Sequence, residues 1–192
     1  MIKNIILECD SFSPDRIAEW LKENKFNTKY TIFVLTRPER KERFQDSLSS
    51  FKNLRCISYH DFFEYKPMRN LDLNVYYDFI KYFFSDSLPA RFLDREGYFP
   101  HYGIGVQNAF AYYVDVAYNL ISFLNDHKID MVYYRNTPHE FVEFILAKAV
   151  EYLKIDLVVS EQHVFTWIYT LTQGIDKERE WFFKDEHFED EK

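Results

Sequence analysis

The strongest constraint on the fold of this chain is a strand–helix–strand unit between residues 130 and 160. Residues 130–134 form a short apolar run that predicts a strand, and residues 156–160 predict another. The intervening residues 139–153 predict a helix that is apolar on nearly every side, which is typical of a helix near the centre of a fold. Because the connections are short, we expect parallel strands joined by a right-handed crossover.

The first sixty residues predict the same alternation. Residues 3–8, 30–35 and 54–59 are apolar runs of the kind found in buried strands, and amphipathic segments separate them. The first of these segments begins at Ser13 and Pro14, a pair typical of a helix N-cap and first helical position. The chain therefore predicts an α/β fold, a doubly wound, mainly parallel, Rossmann-like sheet with helices on both faces.

The length of 192 residues leaves room for one domain of this kind. We expect it to span residues 1–174, with an irregular insert at about 61–105 and a charged helix or tail over 175–192. Within the insert, residues 61–84 predict one or two aromatic-rich helices, whereas residues 85–105 hold three of the four glycines. An irregular segment of that length inside a compact domain is usually functional or mobile.

The charge balance and the cysteines bear on partners and location. Because the chain has 24 Lys and Arg against 31 Asp and Glu, its net charge of −7 makes a nucleic acid an unexpected partner.

No stretch approaches the roughly 18 uncharged residues of a membrane-spanning helix, and the first apolar run is too short for a secretory signal. Cys9 and Cys56 stand in separate apolar segments, as small buried hydrophobic residues do. We therefore expect a cytoplasmic protein with no transmembrane segment.

The places to search for a binding site follow from the fold class. In doubly wound sheets, ligands bind beyond the carboxyl ends of the strands, where the strand order reverses. The corresponding turns follow Leu7, Leu35, Tyr134 and Ser160. None of them carries the G-x-G-x-x-G pattern of dinucleotide sites, and the chain has no Walker-type phosphate loop. We therefore predict no cofactor site in this chain.

The turn before the central helix holds the candidate catalytic residue. Thr137 fits the N-cap, Pro138 the first helical position and Glu140 the capping box, so helix initiation alone explains these three residues. Helix initiation does not explain the presence of His139. The positive end of the helix dipole favours its neutral imidazole, which suits a base or a hydrogen-bond donor to a sugar or phosphate.

Further polar residues complete the predicted binding set. Arg91 and Arg95 share one face if their segment is helical, which suits a phosphate or carboxylate, although an ion-paired solvent face is the simpler explanation. The set of substrate-binding candidates is Asp10, Arg91, Arg95, His101, Arg135 and Glu161. Neither an H-E-x-x-H motif nor closely spaced Cys/His pairs occur, so no metal is predicted.

The central unit resembles a pattern in bacterial capsule and surface-polysaccharide biosynthesis proteins of the glycosyltransferase-like type. The resemblance rests on Asn136-Thr137-Pro138-His139-Glu140 at the turn, Leu146-Ala147-Lys148 in the helix and Leu153-Lys154-Ile155 at its end. Upstream, Arg91-Phe92-Leu93-Asp94-Arg95 ahead of a long helix is similar to the N-terminal half of these proteins.

The resemblance implies a GT-B-like pair of Rossmann-type domains, in which the N-terminal half holds the acceptor and the other half binds the nucleotide sugar. We therefore expect this chain to be the acceptor-side domain, not catalytic alone, with the nucleotide sugar bound by a second domain outside it. His139 would act as the base or orient an acceptor hydroxyl. The implied partners are a sugar or polysaccharide acceptor and a partner domain or homo-oligomer.

Two other functions have support in the sequence. The aromatic excess between Phe62 and Phe84 is typical of a partner surface, which favours a non-catalytic protein-interaction module. A small metal-dependent hydrolase could instead use His139, Glu161 and His163 as ligands.

Overall fold

The architecture is that of a computed structural model of the chain. It describes residues 3–10, 12–23, 30–85, 106–135, 141–162, 168–173 and 179–183. The strands are β1 (Lys3–Glu8), β2 (Tyr30–Thr36), β3 (Leu54–Ser58), β4 (Ile129–Tyr134), β5 (Asp156–Gln162), β6 (Ile168–Gln173) and β7 (Arg179–Phe183). The helices are α1 (Pro14–Glu23), α2 (Lys41–Leu48), α3 (Tyr59–Phe63), α4 (Leu73–Ser85), α5 (Val106–Asp126) and α6 (Phe141–Tyr152), with a 3-10 turn at Pro38–Arg40.

The strands form one sheet in the order β3-β2-β1-β4-β5-β6-β7. The first five in this order pair in parallel, with Ile6 of β1 opposite Phe33 of β2 and Val132 of β4. This confirms the predicted mainly parallel, Rossmann-like α/β sheet. The strand order reverses between β1 and β4, so the crevice that such sheets use for ligands lies at their carboxyl ends.

The sheet extends further than the sequence pattern predicts. β6 pairs antiparallel with β5 and β7 pairs antiparallel with β6, with Thr170 opposite Trp181. A charged helix or tail is predicted over 175–192, but within that range Arg179–Phe183 is a strand. Short strands near the rim of a sheet mix charged and apolar residues, which weakens their periodic signal. The predicted extent of the single domain stays a prediction.

Two apolar clusters flank the sheet. In β2, Ile32 and Val34 belong to the smaller cluster, whereas Phe33 and Leu35 belong to the larger one. Because successive side chains of a strand point to opposite faces, the two clusters lie on opposite faces of the sheet. Residues of α1 and α2 belong to the smaller cluster, and residues of α3 to α6 belong to the larger.

Side chains and backbone at the helix ends explain where the elements begin. The Ser13 carbonyl accepts the Ile17 N–H at 3.2 Å, as expected of the residue before a helix that begins at Pro14. Residues 54–59 are predicted as a strand, but Ser58 and Asp61 form a capping box that starts α3 at Tyr59. Strand β3 therefore ends one residue earlier than predicted.

Two helices are each followed by a residue in the left-handed backbone conformation. Lys154 has φ 57° after α6, where the Ile155 N–H donates to the Val150 carbonyl at 2.9 Å. This is the Schellman pattern, in which glycine usually occupies the left-handed position. Lys128 has φ 46° after α5. Both strands that follow, β4 and β5, are thus entered through a lysine in a conformation that costs energy for any residue with a Cβ atom.

The predicted insert at about 61–105 contains regular structure. The last residues of α3, up to Phe63, lie at the start of the insert, and α4 spans Leu73–Ser85. This agrees with the one or two helices expected there. Residues 86–105 lie outside the described part of the chain. Within the described ranges, every helix is too short or too polar to cross a bilayer.

Candidate functional site

The candidate site is the edge of the sheet at the carboxyl ends of β1 and β4, where sheets of this kind bind their ligands. Glu8 is the last residue of β1, and Arg135 directly follows β4. The Glu8 carboxylate accepts the Asp10 N–H at 2.6 Å through Oε1 and the Arg135 N–H at 3.4 Å through Oε2. One carboxyl group therefore joins the two strands at the point where the strand order reverses.

The surroundings of Glu8 raise the pKa of its carboxyl group. Its side chain is 5 % exposed. Burial is the main reason that its pKa rises from 4.5 to about 7, and the nearby Glu143 and Asp10 carboxylates add to the increase. The two backbone N–H donors favour the ionised form and oppose part of this rise. A carboxyl group with a pKa near the working pH is suited to general acid or base catalysis.

A second buried carboxyl group lies close to Glu8. Glu143 of α6 accepts the Tyr59 hydroxyl at 3.1 Å through Oε1, and its backbone carbonyl accepts the Tyr134 hydroxyl at 3.2 Å. Burial raises the pKa of both phenols well above the usual range, so both stay protonated and act as donors. The two tyrosines therefore hold the helix carrying Glu143 against the end of the sheet.

Asp10 lies at the same edge, as predicted, but its carboxylate already has protein partners. Its Oδ1 accepts the Thr36 hydroxyl at 3.2 Å and the Arg37 N–H at 3.1 Å. Its carboxylate also pairs with Arg37 at 2.8 Å and Arg40 at 3.7 Å. These contacts tie the loop after β1 to the loop after β2, so Asp10 organises the edge rather than offering an unoccupied acceptor.

The Arg135 side chain contacts an aromatic ring at this edge of the sheet. Its guanidinium carbon lies 4.4 Å from the centre of the Phe12 ring, within the range of a cation–π contact. The Phe12 carbonyl in turn accepts a hydrogen bond from Arg40 at 2.6 Å. A guanidinium whose position is fixed in this way is suited to an anionic or hydroxyl-bearing ligand.

An apolar cavity of about 430 Å³ opens next to this edge, between α1 and the sheet. Leu7, Phe12, Trp20 and Tyr133 are among its lining residues. Glu8 and Leu7 are successive residues of β1, so their side chains point to opposite faces. The cavity therefore does not include the Glu8 carboxyl.

The cysteines do not supply a nucleophile at this edge. Burial raises the pKa of the Cys9 thiol well above its usual range, and it raises the pKa of Cys56 to about 11. Both are free cysteines that stay protonated at neutral pH. Cys9 is a buried residue and Cys56 a partly buried one, which agrees with the prediction of small apolar side chains.

Several predicted site residues cannot be placed in this geometry. His139, Arg91, Arg95 and His101 lie outside the described residues, as does His163. Glu161 lies in β5 opposite Thr170, in a part of the strand whose side chains are not described. In the ranges that are described, no three His, Cys, Asp or Glu side chains come together as a metal site. The proposed roles of these residues stay predictions.

Sequence reasoning missed Glu8, Glu143 and Tyr59. A signal for the first two was present, because each is an acidic residue inside an otherwise apolar segment, and a buried carboxyl group needs partners. Tyr59 carried no such signal, since its contact with Glu143 depends on how α3 packs against α6.

No protein-family model matches this chain, and no curated protein resembles its sequence closely enough to count as a relative. The case for a function therefore rests on the residues at the carboxyl ends of β1 and β4.

Proposed function

We propose that the chain is the acceptor-side domain of a glycosyltransferase-like protein of surface polysaccharide biosynthesis, and that it does not transfer sugar alone. The observation that carries this proposal is the Glu8 carboxyl, buried at the strand-order reversal with a pKa of about 7. A parallel sheet with an ionisable group at this point is suited to binding and deprotonating a small polar molecule. The substrate class comes from the resemblance of the central unit.

The proposed chemistry assigns a role to each group at the edge. In a complete enzyme, the Glu8 carboxylate would take the proton of an acceptor hydroxyl as that oxygen bonds to the sugar carbon and the nucleotide leaves. With a pKa of about 7, some of the Glu8 groups are ionised at neutral pH and able to accept the proton. Arg135 would hold an anionic group of the acceptor, and His139 would be the second base or orient the hydroxyl.

The compartment belongs to the same proposal. Both cysteines are free, which is the state favoured in a reducing compartment. We therefore place the protein in the cytoplasm, where its acceptor would be extended. The nucleotide sugar would be held by a second domain, so the described edge needs to bind only the acceptor.

Acceptor binding can be tested directly with simple sugars. Saturation-transfer NMR of the full chain with glucose, galactose, N-acetylglucosamine and glucuronate should give a signal for at least one of them. Glu8→Gln and Arg135→Ala should each reduce that signal severalfold. The matched control is Glu42→Gln, because Glu42 is an exposed glutamate of α2. Absence of any sugar signal, or equal signals from all four proteins, would contradict the proposal.

A second candidate function, a protein-interaction module, has one supporting observation. Leu73 and Tyr77 of α4 lie one helical turn apart, and each is 57 % exposed. Tyr82 further along the helix is also exposed. If this face binds protein, light scattering should detect a stable oligomer of the wild type that Tyr77→Ser weakens. A monomer at all concentrations that still binds a sugar would favour the acceptor-side domain instead.

A further inference from the structure

The apolar cavity between α1 and the sheet lies on the opposite face from Glu8, because its lining residue Leu7 directly precedes Glu8 in β1. Its volume of about 430 Å³ is within the range of roughly 300–1,000 Å³ found for small-molecule sites. Close-packed protein interiors contain few spaces larger than a water molecule. The cavity is therefore too large to be an ordinary packing defect, and it does not depend on the candidate site at Glu8.

Strand β4 is fully covered on one face and partly open on the face that lines this cavity. Val132 and Tyr134 belong to the larger apolar cluster and are at most 1 % exposed. Met131 and Tyr133, which alternate with them along the strand, line the cavity and are only partly buried. Among the described helices, only α1 and α2 contribute to the cluster on this face. Because a parallel sheet is normally covered on both faces, the surface of β4 beside α1 has room for another apolar group.

The cavity has an apolar end and a charged end. Ile5 of β1 lies beside Ile32 of β2 and Met131 of β4, and these three residues line the cavity toward the start of the strands. Arg16 is in the first turn of α1, and Trp20 lies one turn further along the helix. Because a crossover helix begins at the carboxyl edge of a sheet and runs back along it, the cavity extends from Arg16 toward Ile5.

Arg16 is the charged residue of this lining. The other described lining residues are apolar or aromatic. The Arg16 guanidinium forms neither a hydrogen bond nor an ion pair with another described residue. By contrast, Arg37 and Arg40 in the loop after β2 both pair with Asp10. In a chain with a net charge of −7, the positive charge of Arg16 is thus available to an anion that enters the cavity.

We propose that this cavity binds a medium-chain fatty acid, an unbranched alkyl chain that ends in a carboxylate. The carboxylate would pair with Arg16, and the chain would pack between Trp20 and the strand residues Ile5 and Met131. An apolar cavity of about 150 Å³ holds one benzene ring, so a cavity about three times as large holds a chain of about ten to fifteen carbon atoms. The described lining has no carboxylate, so a cationic head group would have no partner there.

The probe for this proposal is decanoate, titrated into the full chain at neutral pH below the concentration at which it forms micelles. Calorimetry gives the affinity, and the amide signals of cavity residues such as Leu7 and Ile17 should shift. Hexanoate, which is four CH₂ groups shorter, should bind about a hundredfold more weakly, because each buried CH₂ changes affinity by about fourfold. Decyltrimethylammonium has the same chain length and the opposite charge, and it should bind at least about tenfold more weakly than decanoate.

The variant Arg16→Gln tests the charged end of the cavity. It should weaken decanoate binding by about three- to tenfold, the effect of one charge-assisted hydrogen bond that solvent partly screens. It should leave the binding of decanol unchanged, because decanol has the same chain but no carboxylate. Arg43→Gln is the matched control, since Arg43 is an exposed arginine of α2 outside the cavity, and it should keep wild-type affinity for both ligands.

The variant Met131→Trp tests the apolar end. The indole ring should fill the space of the alkyl chain and weaken the binding of decanoate and decanol by at least about tenfold. Met131 is only partly buried, so the larger side chain can be accommodated at the open face of β4. Met68→Trp is the matched control, because Met68 is 66 % exposed and lies outside the cavity, and it should leave both affinities unchanged.

The proposal is overturned if decanoate does not bind, if decyltrimethylammonium binds as tightly, or if Arg16→Gln and Met131→Trp keep wild-type affinity. It is also overturned if light scattering detects a dimer that Met131→Trp dissociates, because a second copy of the chain would then occupy the cavity. Glu8→Gln should bind decanoate as the wild type does. A loss of sugar binding in that variant therefore leaves this inference intact.

Discussion

The Tyr59 hydroxyl donates a hydrogen bond to Glu143 Oε1 at 3.1 Å, across 84 positions of the chain. Both side chains are buried, and they join the first residue of α3 to the central helix α6. A buried carboxyl group needs donors of this kind, because its transfer from water is otherwise very unfavourable. The same contact places Glu143 where its charge helps to raise the pKa of Glu8.

Removing the Tyr59 hydroxyl should destabilise the fold. A hydrogen bond to a charged group contributes about 1.5–3 kcal/mol, so Tyr59→Phe should lower the free energy of unfolding by that amount. Urea denaturation measures the change. Tyr77→Phe is the control, because Tyr77 is largely exposed and should shift the free energy by less than about 0.5 kcal/mol. Equal stabilities of the two variants would show that the Tyr59–Glu143 bond does not stabilise the protein.

The raised pKa of Glu8 predicts a pH dependence of stability. The folded chain holds the Glu8 proton up to a pKa of about 7, whereas the unfolded chain releases it near 4.5. Unfolding therefore releases a proton between these pH values, and stability falls as the pH rises through the window. The total effect is on the order of 3 kcal/mol.

The measurement for Glu8 compares urea denaturation of the wild type and Glu8→Gln at pH values from 4.5 to 8. The stability of the wild type relative to Glu8→Gln should decrease toward pH 8, since glutamine does not titrate. Glu42→Gln should run parallel to the wild type. A difference between wild type and Glu8→Gln that stays constant with pH would refute the raised pKa.

Replacing Asp10 should lower the free energy of unfolding. Asp10→Ala removes the acceptor of the fully buried Thr36 hydroxyl and the partner of Arg37. The loss should cost about 1–3 kcal/mol of unfolding free energy. Asp46→Ala, an exposed position in α2, is the control and should cost less than about 0.5 kcal/mol. If both variants unfold at the same urea concentration, Asp10 does not hold the edge together.

The aromatic residues of α4 should divide into core and surface. Phe79 is fully buried, and its ring centre lies 5.8 Å from that of Phe83 and 5.5 Å from that of Tyr152. Phe79→Ala should cost about 3–5 kcal/mol by leaving a cavity. Tyr77→Ala, on the exposed side of α4, should cost far less. Thermal unfolding of the two variants decides whether the helix packs in this orientation.

The left-handed backbone at Lys154 predicts a stabilising substitution. Glycine adopts φ 57° without the steric cost of a Cβ atom, so Lys154→Gly should raise the unfolding free energy by up to about 1 kcal/mol. Lys154→Ala removes the charge but keeps the Cβ atom, and it should give no such gain. A stabilisation of equal size in both variants would instead point to the charge of Lys154.

Much of the fold could be predicted from local pattern. β1 and the start of α1 lie where the apolar run and the Ser13-Pro14 pair place them, because both depend on neighbouring residues in the sequence. β6 and β7 were missed, since their pairing follows from contact with β5 and not from a periodic pattern of their own. Ser58 ended β3 early because a capping box competes with the strand.

The candidate site was harder to predict than the fold. The fold rule pointed to the edge of the sheet that holds Arg135 and Glu8, but it did not single out Glu8. The apolar residues around Glu8 indicate that it is buried, but the contribution of Glu143 to its pKa comes from a residue far along the chain. The ion pairs of Asp10 with Arg37 and Arg40 join two loops that are distant in the sequence, so they could not be predicted from its neighbours. The predicted role of Asp10 in substrate binding stays a prediction.

The position of β1 has a consequence for how this protein is made. Its two neighbours in the sheet are β2, which follows closely, and β4, whose last residue is Tyr134. At roughly 5–20 residues per second, a ribosome needs about 6–25 s to synthesise the stretch from β1 to the end of β4. During that time one side of a highly apolar strand has no native partner in the nascent chain. A chaperone would therefore protect this protein from misassembly mainly while its N-terminal half is emerging from the ribosome and β4 has not yet been made.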